Sequence, residues 1–335
     1  MKKYEHYIGV DVSKKTLDIS VLKGKAKLFH LCVSNDEKGL KVLGKKLKDH
    51  GVSAKKALLC LENTGLYGWK LAYWSVENQY NVWIENAIAI KRSLGLVRGK
   101  NDQIDSERIA LYAMRFQDKC TLWQPQREVV IKLKHLFTLR TRLIVSKKRL
   151  LTPLKESAPF IAKNHQKELQ AACKAALQGV QKSIKEIEKK IDQLIKSDSK
   201  LSHMTDIITS IDGIGTQIAT AFIVATNEFQ QVKKGRGLAC YAGVAPFEHS
   251  SGTSVSGRSR VSHLANKRLK SIMHMGALSA IKNSEEFQEY YERKVREGKP
   301  KLAVINAVKN KQILRMCACV RDDRKYEKNY ARKVA

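Results

Sequence analysis

Apolar and polar residues alternate from the start of the chain. Ile8 and Val10 are interleaved with Gly9 and Asp11, and Leu17, Ile19 and Val21 repeat the alternation after a polar link at 13–16. A period of two over two short runs predicts neighbouring antiparallel strands. Gly24 marks a turn, and residues 27–33 return as a third strand, so the chain opens as a meander. Asn35 or Asp36 then caps a helix with Leu40, Val42, Leu43 and Leu47 as its apolar positions, ended by Gly51. A continuous apolar run at 57–61 predicts a buried strand, with Glu62 at its exit. A helix over 67–76, a strand over 81–84 and a short helix from Ala87 follow.

From 128 to 154 the period lengthens to that of a helix, through Val130, Leu133, Leu136, Phe137, Leu143, Ile144 and Leu151. Pro153 and Pro159 bracket a predicted break. A second long helix over 166–200 carries Ile184, Ile187, Ile191 and Leu194 in steps of three and four, with charge pairs outside, which is coiled-coil patterning over a short span. The helix pair reads as a dimerisation arm, as a clamp for a polyanion, or as a hairpin that spaces two domains. After IDGIG at 211–215 comes a small apolar helix over 218–225; further helices are predicted over 264–280 and 300–320, before a polar tail.

Meander strands followed by alternating helices and strands is the order of a ribonuclease-H-like α/β fold. The expected organisation is a ribonuclease-H-like domain at 1–125, a helical, coiled-coil arm at 126–202 and a mainly α C-terminal domain at 203–335. The tight turn holding Gly213 and Gly215 resembles a helix-hairpin-helix element, whose backbone N–H groups can meet a phosphate.

Candidate chemistry begins with Asp11, since a carboxylate inside a strand is costly unless a cation faces it. Asp102 and Asp105 open a helix three residues apart and share one side of it. Taken alone, they read as an N-cap and a first-turn acid favoured by the helix dipole. With Asp11 and Glu62 they make a set of hard oxygen ligands suited to Mg²⁺, and phosphoryl-transfer sites hold two such ions ~4 Å apart. Four acids pushed together repel unless a metal neutralises them.

Charge points to the substrate. Lys and Arg number 63 against 32 Asp and Glu, for a net +31. A balance this basic fits a polyanion, nucleic acid before an anionic membrane. No apolar run approaches the ~20 residues of a spanning helix, and the chain enters a strand pattern with no leader, so a cytoplasmic protein with reduced, mostly buried cysteines is expected. The basic face expected on the first long helix is Arg140, Arg142, Lys147, Lys148 and Arg149. A second basic run holds Lys233, Lys234, Arg236, Arg258, Arg260, Lys267 and Arg268. Within it lies the Ser/Gly/Arg-rich stretch at 249–260. It reads as a linker, as a loop gripping phosphate, or as the seat of a serine nucleophile with Arg258 and Arg260 beside it.

These residues together resemble the DEDD-type transposases of bacterial insertion sequences, a family that includes Piv-type DNA invertases and bridge-RNA-guided recombinases. The resemblance spans nearly the whole chain and rests on GVDVSK with Asp11, LENTG with Glu62, KNDQIDS with Asp102 and Asp105, IDGIG, YAGVAP and SGTSVSGRSR. It implies a RuvC-like N-terminal domain whose four acids hold Mg²⁺, and a C-terminal transposase domain with an essential serine. Ser251 matches that serine, although Ser250 precedes it and competes for the register. It further implies donor and target DNA as substrates, an element-encoded bridge RNA as guide, a homo-oligomer (dimer or tetramer) and no membrane. Other readings share parts of the pattern. A sugar kinase or chaperone-type ATPase has the same first strand but needs a Gly-rich phosphate turn where Val12, Ser13 and Lys14 stand. A junction resolvase leaves the C-terminal third unexplained. A non-catalytic nucleic-acid-binding protein leaves the acids unexplained.

Overall fold

The computed structural model describes residues 4–93, 101–230, 234–251, 255–262 and 264–328, with backbone alone at 248–251, 255–256 and 258–260. The chain divides into two units, Met1–Pro125 and Gln126–Ala335.

In the first unit the opening alternation becomes strands β1 (His6–Val12) and β2 (Thr16–Lys23), antiparallel, with Val10 opposite Ile19 and Asp11 opposite Asp18. Strand β3 (Ala26–Ser34) returns beside β2. Helix α1 (Glu37–Asp49) is capped by Asp36, whose carboxylate accepts the Gly39 amide at 2.9 Å. Asn35 instead donates its side-chain amide to the carbonyls of Ser13 and Tyr67. Then come β4 (Ala57–Glu62), α2 (Trp69–Glu77), β5 (Asn81–Glu85), α3 (Ala87–Ser93) and α4 (Asp102–Arg115). The sheet order is β3-β2-β1-β4-β5, antiparallel among the first three and parallel from β1 through β5. This mixed α/β sheet is consistent with a ribonuclease-H-like domain.

Alternation gives the sheet two buried faces. Ile8, Val10, Leu17, Ile19, Val21, Leu59 and Leu61 meet Leu40, Leu43 and Leu47 of α1 and Leu71 of α2. Tyr7, Leu22, Leu58, Cys60 and Trp83 meet Ile109, Ala110 and Ala113 of α4. Helix α4 lies on β1 so closely that a Cβ at Gly9 would fall 2.1 Å from the Ser106 carbonyl oxygen and 2.2 Å from the Ala110 nitrogen. Beside that contact the hydroxyls of Ser20 and Ser106 share a hydrogen bond of 2.8 Å.

The second unit starts with α5 (Glu128–Glu156) and α6 (Lys163–Ser197), an antiparallel pair buried only at one end, through Val130, Leu133 and Phe137 against Ile187, Ile191 and Ile195. The break expected between Pro153 and Pro159 begins after Glu156, and Pro153 itself sits inside α5, within a turn of its end, where one missing hydrogen bond is tolerated. Helix α6, expected to reach 200, stops at Ser197 because Asp198 caps α7 (Ser199–Thr209), accepting the Leu201 amide at 2.9 Å. Arg127 locks this corner, reaching Asp198 at 2.7 Å and the buried Glu228 at 2.6 Å.

The remaining elements are α8 (Thr216–Thr226), α9 (Gly235–Tyr241), β6 (Pro246–Ser251), β7 (Val255–Val261), α10 (Lys267–Asn283), α11 (Glu285–Arg296) and α12 (Lys301–Arg321). Two differ from expectation. The Ser/Gly/Arg stretch, read as a loop, is an antiparallel ribbon with Phe247 opposite Arg260 and Ser251 opposite Val255; its strand propensity is poor, and pairing supplies what propensity lacks. Helix α11 was not anticipated, because Phe287 is its one fully buried residue. Among the described residues no helix is long and apolar enough to cross a membrane. All seven cysteines are free thiols; Cys60, Cys317 and Cys319 are buried and Cys32 is exposed.

Candidate active site and nucleic-acid interface

Asp11 is the next-to-last residue of β1 and Glu62 the last of β4, and these strands run parallel with Val10 opposite Leu61. Alternation from Tyr7 and Gly9, and from Leu58 and Cys60, carries both carboxylates to the face that α4 covers. The start of α4 supplies the other two acids. Its N-cap is Asn101 and not, as expected from sequence, Asp102: the Asn101 carboxamide oxygen accepts the Ile104 amide at 2.7 Å. The capping role that would account for Asp102 is therefore already filled. Asp105 takes an ion pair from Arg108 at 2.8 Å.

These groups feel one another. Burial, and after it the carboxylates of Asp102, Asp105 and Asp18, hold Asp11 above the usual carboxylate range. Burial, with Asp11 and Asp105, does the same to Glu62. Among the described residues no three Asp, Glu, His or Cys side chains stand close enough to hold an ion as they are. The donor set is nonetheless all oxygen, half-buried and destabilised by its own charge, which fits a hard divalent cation.

Asp18 is the member that the sequence reading missed. It stands directly across from Asp11, with His30 at 3.3 Å and the Cys32 thiol donating to it at 3.7 Å. The cue was present: Asp18 is a polar residue in the alternation of β2, as Asp11 is in β1. Asp18→Asn removes one of the charges acting on Asp11, so the Asp11 carboxyl is expected to titrate at lower pH than in the wild type. Carboxyl-carbon NMR measures this, and an unmoved midpoint would show that the two do not interact.

In the second unit the basic residues divide. Arg142, Lys148, Arg149, Lys234, Arg236 and Lys267 are exposed and free to meet phosphate. Arg140 instead reaches Glu188 at 2.7 Å, and Lys147 donates to Gln181. Arg268 is stacked 4.1 Å from the Phe137 ring centre, with its guanidinium on the Phe137 carbonyl at 3.1 Å and on the Thr141 hydroxyl. These three are spent within the fold, which sequence cannot show. Arg258 and Arg260 lie in β7 and Ser251 ends β6, all placed by their backbone. Lys233 lies outside the described residues.

The IDGIG turn joins α7 to α8. At Gly213, φ is +78° and a Cβ would fall 2.2 Å from the Gly276 carbonyl oxygen, so this glycine serves close packing on α10. The hollow at Gly213 and Gly215 is walled on its other side by Glu188 and Asp192. Glu188 is paired with Arg140, which leaves Asp192 as the acid that disfavours a phosphate at this turn.

Comparisons with known proteins agree with this layout. A DEDD transposase model of the IS110 type matches residues 8–157, the span holding all four expected acids. A second model, described as transposase IS116/IS110/IS902 family, matches residues 205–292, which includes the ribbon. Two pilin gene-inverting proteins, from Moraxella bovis and Moraxella lacunata, are each 28% identical over 96% of this chain and 98% of their own. A 43.6 kDa protein of insertion element IS110 from Streptomyces coelicolor is 26% identical over 46% of this chain and 36% of its own. Carboxylates gathered on one sheet face, a second unit with a serine-bearing ribbon, and matches to both halves place the chain in the IS110-type family of DEDD transposases and recombinases.

Proposed function

We propose that the chain is a DNA recombinase of an insertion sequence, which cuts and rejoins donor and target DNA. The observation that supports this reading is the placing of Asp11 and Glu62 on one sheet face beside Asp102 and Asp105, where burial and neighbouring acids raise both carboxyls at a cost in stability. Asp11, Glu62, Asp102 and Asp105 would hold Mg²⁺, which supplies Lewis-acid polarisation of a phosphodiester. Asn101 caps α4 and so leaves the Asp102 carboxylate free, while Arg108 steadies Asp105.

Rejoining needs a conserved bond energy, which a serine ester provides. The Ser251 oxygen would form a bond to phosphorus as the bond from phosphorus to a deoxyribose oxygen breaks, the serine proton ending on that leaving oxygen. Reversal with a new strand end releases the serine. The invertase name of the Moraxella relatives and the insertion-element name of the Streptomyces relative both describe DNA that is rearranged. A structured bridge RNA as guide, a coiled-coil arm from α5 and α6, and a homo-oligomer as working unit complete the reading.

The test is adduct mapping. Wild-type protein and labelled DNA with Mg²⁺ should give a covalent protein–DNA species whose modified peptide contains Ser251, and Ser251→Ala should lose the adduct and at least about 10³-fold of recombination. An adduct on Ser250, or full recombination by Ser251→Ala, overturns the assignment. Cleavage that leaves only free DNA ends points to a hydrolytic, resolvase-like enzyme.

A further inference from the structure

The root of the β6–β7 ribbon collects a charge that no described ion pair of the second unit balances. Helix α12 reaches the turn into β6, where the Asn306 carboxamide donates to the Val244 carbonyl at 2.6 Å. The start of α10 is tied to the end of α9 by the Asn266 amide on the Tyr241 carbonyl at 2.8 Å. One turn after Asn306 comes Lys309, only 6% exposed. Its neighbours on α12 are Ile305 and Val308, both buried, and Gln312, whose amide is committed to the Asp212 and Gly276 carbonyls. Among the described residues the Lys309 side chain makes no hydrogen bond and no ion pair. The charged group bearing on it is a second amine, Lys270 of α10. The stem of Lys270 lies against the turn into β6, its Cδ being 3.5 Å from where a Cβ of Gly243 would stand.

An ammonium on a buried stem with no counter-charge is poorly solvated, and a like charge beside it disfavours it further. Burial accordingly pushes the Lys309 amine below its ordinary range, with Lys270 adding to the effect. An apolar residue of similar length would pack the same space without penalty. Two amines brought together from separate helices, with no carboxylate to pair with them, make a seat for an anion. In a chain of net charge +31 that handles nucleic acid, the anion such a seat meets is a phosphodiester.

We propose that Lys309 and Lys270 form a binding site for one backbone phosphate of a nucleic-acid strand at the root of the β6–β7 ribbon. This rests on the reading of the chain as a DNA recombinase and extends it, by giving the ribbon a fixed point on the strand it works on. As a phosphate contact it positions the strand and carries no sequence preference.

The experiment uses the full chain with a short DNA duplex and with an RNA hairpin, both of arbitrary sequence. Lys309→Met should keep or raise the thermal midpoint, yet bind roughly tenfold more weakly, as expected for loss of one charged contact. Its slope of log affinity against log salt should flatten by about 0.7–0.9. Lys270→Gln, on a less buried residue, should lower affinity and slope in the same direction and serves if Lys309→Met fails to fold. Methylphosphonate scanning adds a readout that a structural lysine would not move: one neutralised position should weaken wild-type binding and leave Lys309→Met binding unchanged. Losses confined to DNA or to RNA both support the site and identify its strand. Unchanged affinity and slope on both probes in both variants overturn the inference alone. A wild-type chain that binds neither probe overturns the recombinase reading with it.

Discussion

Asp11→Asn is expected to abolish Mg²⁺-dependent DNA cleavage, by at least about 10³-fold, while stabilising the unliganded protein. The first effect follows from removing one anionic oxygen from the set that would carry the metal, a loss felt where charge develops in the transition state. The second follows from the electrostatics in the structure. Asp11 and Glu62 both sit above the usual carboxylate range, through burial first and neighbouring acids second. A carboxyl whose folded value is raised contributes stability below its unfolded range, and that contribution is lost as pH rises through the raised folded value. At neutral pH both groups therefore burden the fold, and an uncharged amide at 11 relieves one of them. Urea unfolding without metal should show Asp11→Asn more stable by about 1 kcal/mol at neutral pH, within the range usual for relieving surface charge strain. The difference should vanish in acid, where wild-type Asp11 is protonated. Nucleic-acid binding should change little, since the cationic residues lie elsewhere. A variant that cuts DNA normally would remove Asp11 from the site; one that is less stable at neutral pH would contradict the electrostatic argument.

Gly9→Ala should do the opposite, losing stability and activity together. A methyl at this position would lie 2.1 Å from the Ser106 carbonyl oxygen and 2.2 Å from the Ala110 nitrogen. Both obstacles are backbone, so no rotamer change removes them and α4 must move off the sheet. Overpacking commonly costs 1–3 kcal/mol, and an obstacle that cannot yield belongs at the upper end, about 3 kcal/mol. For a unit of this size that lowers the thermal midpoint by roughly 10 °C. Displacing α4 also moves Asp102 and Asp105 away from Asp11 and Glu62, so cleavage should fall even at temperatures where the variant stays folded. A Gly9→Ala protein with wild-type midpoint would mean that the close approach of α4 to β1 is not as described.

Much of the first unit was legible in the sequence, because its elements are local. Alternation set β1, β2 and β3, a continuous apolar run set β4, and Asp11 stood out as a carboxylate inside a strand, where one is costly. The long helices were legible for the same reason, their period being written along one segment. The missing α11 and the unforeseen ribbon show the converse, since a helix with one buried anchor and a strand of serines and glycines take their form from what they pack against.

What only the tertiary structure decided are relations between segments distant in the chain. It brings Asp18 across from Asp11 and lets Asn101 take the cap that Asp102 was expected to fill. It engages Arg140 with Glu188 and Arg268 with Phe137, two of the cations expected to meet phosphate. It buries Lys309 without a counter-charge. Composition and period report how much charge and apolar surface a chain has and which residues share a local face. Whether a given charge meets an opposite one, a like one or water depends on neighbours tens to a hundred residues away, and folding alone makes those neighbours.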